Sequence, residues 1–216
     1  MDIPPPETPP ALLLLLSGPA GSGKTTLCER LVAACSGVER VVTSTTRDPR
    51  PGEVHERDYY FFTNEVFDRL VKEGAFLEWA KVHDNRYGTL RRVVEDKLTH
   101  HIDLCMNIDV QGASSLRRAA EANPLLRQRL VTVFLMPPGL DELRLRLRGR
   151  ATDPEEEIER RLRTALSELG EWPNYDYCVQ SRSKDEDFEV IHAIWLAEKR
   201  RVCRMLEQPD RRGACP

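Results

Sequence analysis

The sequence predicts an α/β fold, a three-layer sandwich with a parallel core sheet and an inserted antiparallel subdomain. Three observations carry that prediction. Short apolar runs alternate with longer segments of helical periodicity, the pattern of strands joined by crossover helices. A glycine-rich octet lies between the first such run and the first helix. Residues 58–88 hold several strand-like segments without a long crossover helix, which suits an antiparallel insert better than the parallel sheet.

The elements follow in order. Residues 11–17 are an apolar run bounded by proline and glycine, a buried strand. Residues 24–35 carry Leu27, Leu31 and Ala34 at helical spacing, and 41–44 read as a second strand. The polar, proline-containing stretch 45–57 is a loop, 58–63 a strand rich in Tyr and Phe, and 64–74 a helix ending at Gly74. Strands are expected at 76–82, 102–110, 130–136 and 175–180. Helices are expected at 90–100, at 111–122 (broken by Asn123 and Pro124), across 143–148, at 154–169, and along the stripe Phe188, Ile191, Trp195, Val202 and Leu206. The Leu/Arg alternation of 143–148 has strand period, but the helix-start signal at 138–141 and the helix propensity of Leu and Arg favour helix.

At 216 residues with 40% hydrophobic content, the chain can bury a core without disulfide or metal staples. Its net charge of −3 and pI near 6.0 argue against a globally basic nucleic-acid binder. The cysteines form no C-x-x-C pair, which argues against a zinc site and fits a reduced compartment. The longest apolar run near the start is far shorter than a membrane span, and no positive charge precedes it. Residues 1–10 read as a disordered leader, 208–216 as a tail, and a cytoplasmic protein with no membrane partner is expected.

The octet Gly18, Pro19, Ala20, Gly21, Ser22, Gly23, Lys24 and Thr25, with Thr26 after it, matches G-x-x-x-x-G-K-[ST] in the strand-to-helix setting that a phosphate-binding loop requires. This places the chain among P-loop NTPase folds and predicts nucleoside-triphosphate binding at these nine residues. Glycines let the backbone wrap a phosphate with N–H groups inward, and the helix N-terminus adds positive potential. Lys24 would reach the β/γ-phosphates and the Thr25 hydroxyl would ligate Mg²⁺. Asp109, ending the apolar run 104–108, is the candidate second metal residue; the other reading is a cap for the next helix.

A second polar set lies between residues 43 and 89. Arg47 and Arg50, three apart on a loop stiffened by Pro49 and Pro51, form a plausible fork for a phosphate. Thr43, Tyr59, Glu78, Tyr87 and Thr89 complete it. Singly, each suits a structural role; with the phosphate loop they suggest an acceptor site.

From about residue 11 to 199 the sequence resembles the guanylate kinase family. The resemblance rests on the loop at 18–25, Thr46-Arg47 with Pro49-Arg50 and Gly52-Glu53, Asp58-Tyr59, Glu78-Trp79, Tyr87-Gly88-Thr89, and Asn107 to Gly112. It continues through Pro137-Pro138, Arg146, Gly149-Arg150, Glu155-Glu156, Arg161 and Tyr175-Asp176-Tyr177. It implies a nucleoside-monophosphate kinase that moves the ATP γ-phosphoryl group to GMP with Mg²⁺. Its parts would be a core (11–44, 90–138, 170–207), a GMP-binding insert (45–89) and a lid (139–169). Arg47, Arg50, Tyr59 and Tyr87 would hold the GMP phosphate, and Thr43, Glu78, Thr89 and Asp109 would approach guanine. Arg146, Arg150 and Arg161 would clamp the transferring group from the lid, and with Lys24 form the catalytic set. The sequence departs from the family at Thr43 (usually serine), Asn107 (usually aspartate), Ala151 (usually glycine) and Ser181 (usually asparagine). Two other readings stand beside this one: a catalytically dead interaction domain, and a P-loop kinase for another phosphorylated acceptor such as a ribose bisphosphate.

Overall fold

The computed structural model describes residues 9–82, 84–148 and 155–205. Along them run β1 (Leu13–Ser17), α1 (Lys24–Ala34), β2 (Val38–Arg40), β3 (Ser44–Thr45), β4 (Tyr60–Phe61), α2 (Asn64–Lys72), β5 (Phe76–Val82) and β6 (Asn85–Leu90). Then come α3 (Arg91–Thr99), β7 (Asp103–Asn107), α4 (Val110–Glu121), α5 (Pro124–Arg129), β8 (Leu130–Met136), α6 (Leu140–Arg148), α7 (Glu155–Leu169), β9 (Tyr177–Gln180), α8 (Lys184–Glu198) and α9 (Val202–Met205).

Five strands form a parallel sheet in the order β2-β7-β1-β8-β9. Its central strand shows why the first apolar run has no polar alternation. Leu12, Leu14 and Leu16 enter one core with Leu27 and Leu31 of α1 and Ile191 of α8. Ala11, Leu13 and Leu15 enter the opposite core with Val94 of α3, Leu116 of α4 and Leu126 of α5. A strand covered on both faces must be apolar at every position, so period-two patterning vanishes. The loop after β1 opens at the C-terminal edge of this sheet, where α/β folds place ligands.

The second sheet, order β4-β3-β6-β5, spans residues 44–90. The pairs β3–β6 and β5–β6 are antiparallel as expected, but β3–β4 is parallel. The chain leaves β3 through a long polar loop and returns in the same direction, so a hairpin was never available.

Other expectations shift. The strand expected at 41–44 divides: β2 ends at Arg40, and β3 begins at Ser44 in the other sheet. Val41 N still donates to Cys105 O at 3.0 Å, after which the chain crosses between sheets. The strand expected at 58–63 shrinks to two residues, because β3 offers it no more. Asn123 and Pro124 do end the preceding helix, α4 stopping at Glu121, but they also start α5: Asn123 Oδ1 accepts from Leu125 N and Leu126 N, and Pro124 sits where no N–H is needed. The C-terminal stripe breaks after Glu198 and resumes at Val202. The expectations for residues 1–8 and 206–216 lie outside the described residues. Among those described, no helix is long and apolar enough to cross a membrane.

Candidate functional site

The phosphate loop gets its shape from three glycines with positive φ: Gly18 at 137°, Gly21 at 85° and Gly23 at 99°. At Gly18 a side chain is excluded twice over, since a Cβ would lie 2.5 Å from the Leu135 carbonyl of neighbouring β8. Gly23 caps α1, so the first turn of that helix points its free N–H groups into the loop. Lys24 Nζ folds over the loop, donating to Gly18 O at 2.7 Å and Pro19 O at 2.9 Å. The buried Ser22 hydroxyl has no hydrogen-bond partner among the described residues. A cleft of ≈ 430 Å³ opens beside the loop, lined by Gly21, Ser22, Thr26, Arg182, Lys184 and Asp187 among others. Asp187 shapes its far wall, accepting from Ser181 Oγ and Arg182 N, both at 2.7 Å. Sequence reading missed Asp187, Arg182 and Lys184; the Ser183–Glu186 capping box at the start of α8 was the available signal.

At the end of β7, Asn107 and Asp109 have different partners. Asn107 Nδ2 donates to Thr25 Oγ1 at 3.3 Å, so the side chain touching the loop hydroxyl is Asn107. Asp109 caps α4, its Oδ1 accepting from Gly112 N at 2.7 Å. An amide and a hydroxyl at the loop's edge fit a hydrated Mg²⁺, which takes few protein ligands when phosphates supply the rest.

The second sheet assembles the other polar set. Arg47 Nη2 donates to both carboxylate oxygens of Glu53, at 2.8 and 2.9 Å, and Glu53 Oε2 also accepts from Arg50 N at 2.7 Å. Pairing with Arg47 holds Glu53 below its ordinary pKa. The Arg47 guanidinium stands 5.6 Å from the Tyr59 ring centre, and the Tyr59 and Tyr87 rings are 6.2 Å apart. Arg47, Tyr59 and Tyr87 are therefore brought together. Arg50 joins them through its backbone, with its side chain exposed. Glu53 went unnamed as a candidate because it reads as a loop carboxylate; its position six residues after Arg47 was the clue. Thr43, just before β3, lends its carbonyl to Tyr60 N at 2.9 Å.

Glu78 on β5 is only 9% exposed. Thr89 Oγ1 on β6 donates to its Oε1 at 2.6 Å. Burial pushes its pKa to about 7 against the pull of the Thr89 hydrogen bond, and the charge of Asp109 adds to the rise. Glu168, near the end of α7, is also raised by burial; it feels both Lys24 and Asp109. Lys24, Glu168, Asp109 and Glu78 thus form an electrostatic chain between the two clusters. Nothing in sequence spacing pointed to Glu168.

The helices α6 and α7 form a hairpin with its own small core of Leu143, Leu162 and Ala165, and Arg144 pairs with Glu159. Arg161 lies on α7. Arg150 and the side chain of Arg146 lie outside the described residues.

Comparison with known proteins follows the same lines. The family described as guanylate kinase matches residues 11–197. The chain is 41% identical to the guanylate kinase of Wolbachia pipientis wMel over 92% of this chain and 95% of that one. It is 38% identical to the guanylate kinase of Geobacter sulfurreducens over 91% and 93%. Its structure is similar to the crystal structure of guanylate kinase from Anaplasma phagocytophilum, with a TM-score of 0.69, 29% identity and coverage of 93% and 92% of the two chains.

Proposed function

Because the chain belongs to the guanylate kinase family, we propose that it transfers the γ-phosphoryl group of ATP to GMP, giving ADP and GDP. The observation that carries the acceptor reading is the buried Glu78 carboxylate, held by Thr89 within electrostatic range of Asp109. Guanine presents N1–H and a 2-amino group, two donors that one carboxylate can accept together. Adenine turns a lone pair toward the same place. A site built around such a carboxylate rejects the wrong base by orders of magnitude, because the buried acceptor is left unpaired.

The chain's own groups then divide the work. The loop at 18–25 and the N-terminus of α1 hold the ATP phosphates, and Lys24 adds charge where the γ-phosphoryl group leaves. Arg47, Arg50, Tyr59 and Tyr87 hold the GMP phosphate, with Glu53 aiming Arg47. Thr43, Glu78, Thr89 and Asp109 read the base. The acceptor phosphate is already ionised near pH 7, so no general base is required. Arg146, Arg150 and Arg161 on the lid, 139–169, close on the transferring group together with the insert, 45–89, and exclude the water that would hydrolyse ATP. Thr25, with Asn107 and Asp109 nearby, would hold Mg²⁺, which when bound would offset the negative charge of the phosphates. Cytoplasmic work on free nucleotides suits this chemistry.

Coupled ADP release with GMP, AMP, IMP and a ribose bisphosphate as acceptors tests the reading. GMP is expected to exceed AMP by at least about 10³ in kcat/KM. A preference for the ribose bisphosphate would overturn it, as would no turnover with any of the four.

A further inference from the structure

Gly112 is a glycine whose backbone has no need of one. It lies in the first turn of α4, it is buried, and its φ is not among the chain's positive values. Glycine at an ordinary helical φ costs a helix roughly 1 kcal/mol relative to alanine. The position, third after the Asp109 cap, is also where a capping box would place Glu or Gln. The surroundings supply a reason for the missing side chain. A Cβ on Gly112 would sit 3.4 Å from Asp109 Oδ1, 3.4 Å from Ile108 Cδ1 and 3.5 Å from Glu78 Oε2. One carbon atom would touch the carboxylates of both Asp109, on the core, and Glu78, on the second sheet. It would fit there at ordinary contact distance, but as an apolar group against two carboxylate oxygens.

We infer that Gly112 is a specificity-determining residue: its bare backbone keeps the space between the Glu78 and Asp109 carboxylates open to the paired N–H donors of guanine. The inference rests on the reading of Glu78 as the group that recognises the base. It separates two demands that usually agree. Helix stability favours alanine at 112, while recognition of the 2-amino edge favours the empty position. Oε2 of Glu78 is the oxygen that the added carbon would touch, while Oε1 accepts from the Thr89 hydroxyl. A methyl group there would exclude an approaching donor without disturbing the hydrogen bond that orients the carboxylate.

The test is steady-state kinetics of the full chain and of Gly112→Ala with ATP, GMP and IMP, which lacks the 2-amino group, together with thermal melting. The expected result is a melting temperature equal to or above wild type, a KM for ATP within about twofold, a KM for GMP raised about tenfold, and a smaller GMP-over-IMP ratio of kcat/KM. In a double-mutant cycle with Glu78→Gln the two effects on GMP should be non-additive, because both act on the same oxygen. A folded Gly112→Ala chain with unchanged GMP KM and unchanged GMP-over-IMP ratio would overturn the inference. So would a variant that fails to fold, since that would make packing of α4 the reason for the glycine. A wild-type chain that does not use GMP would instead overturn the acceptor reading itself.

Discussion

The loop at 18–25 and the sheet at 44–90 both face phosphate in the function proposed, yet one is made of backbone and the other of side chains. In the loop, glycines at positive φ turn N–H groups and a helix N-terminus toward the anion, and Lys24 is the single cation. In the sheet, Arg47 is oriented by Glu53, flanked by Tyr59, and Glu78 is held by Thr89 from the adjacent strand. A backbone site is rigid because its chain conformation is rigid. A side-chain site is only as rigid as the partners that pair with it. Removing a partner should therefore cost little in the loop and much in the sheet, whereas removing the charge itself should cost most in the loop.

The sharpest way to break the comparison is Lys24→Ala. Loop shape comes from glycines and charge from Lys24, so the variant should fold with a melting temperature close to wild type while kcat falls by roughly 10³ or more. Thermal melting and ADP release measure the two separately; near-normal kcat would move the catalytic charge elsewhere. Next comes Glu78→Gln. The amide keeps the shape but turns an NH₂ or a single oxygen toward two donors, so kcat/KM for GMP should fall about 10²-fold with ATP KM unchanged. Isothermal titration with each nucleotide alone checks that division, and loss of ATP binding with intact GMP binding would reassign Glu78.

Glu53→Gln probes the partner rather than the contact. Arg47 would lose its bidentate carboxylate, and the KM for GMP should rise about fivefold with little change in kcat. Equal KM values in the two proteins would show that the Arg47 fork is rigid without Glu53, erasing the contrast between the regions.

The smallest effect is a pH dependence. The folded chain holds a proton on Glu78 between its ordinary value of 4.5 and about 7, a range in which the unfolded chain has released it. Its contribution to stability is therefore complete below 4.5 and is lost as pH rises through about 7. Recognition runs the other way, because guanine donors need the ionised carboxylate. The affinity for GMP should rise between about pH 6 and 8 by a few-fold beyond the phosphate's own ionisation near pH 6. In Glu78→Gln that excess should vanish. If it persists, another group titrates with GMP binding.

The phosphate loop was legible in sequence because it is local: consecutive residues, one strand before and one helix after, and glycine at the positions whose φ requires it. The two-faced burial of the parallel strands was legible for a similar reason, since an unbroken apolar run such as 11–16 has few other uses in a chain of this composition. Tertiary structure alone decided which groups act on which. Asp109 and Asn107 lie two residues apart, and sequence offered the aspartate for the metal or for a helix cap; the fold shows it capping α4 and sets the Asn107 amide beside Thr25. Glu168 is one acidic residue among many on α7, and only the return of that helix toward the loop brings it within range of Lys24. The parallel β3–β4 pair, the helix begun by Asn123 and Pro124, and the carbon-sized gap at Gly112 were likewise not predicted. Local backbone preferences are written in neighbouring residues, but distances between side chains far apart in sequence depend on how whole elements pack, which no short window of sequence contains.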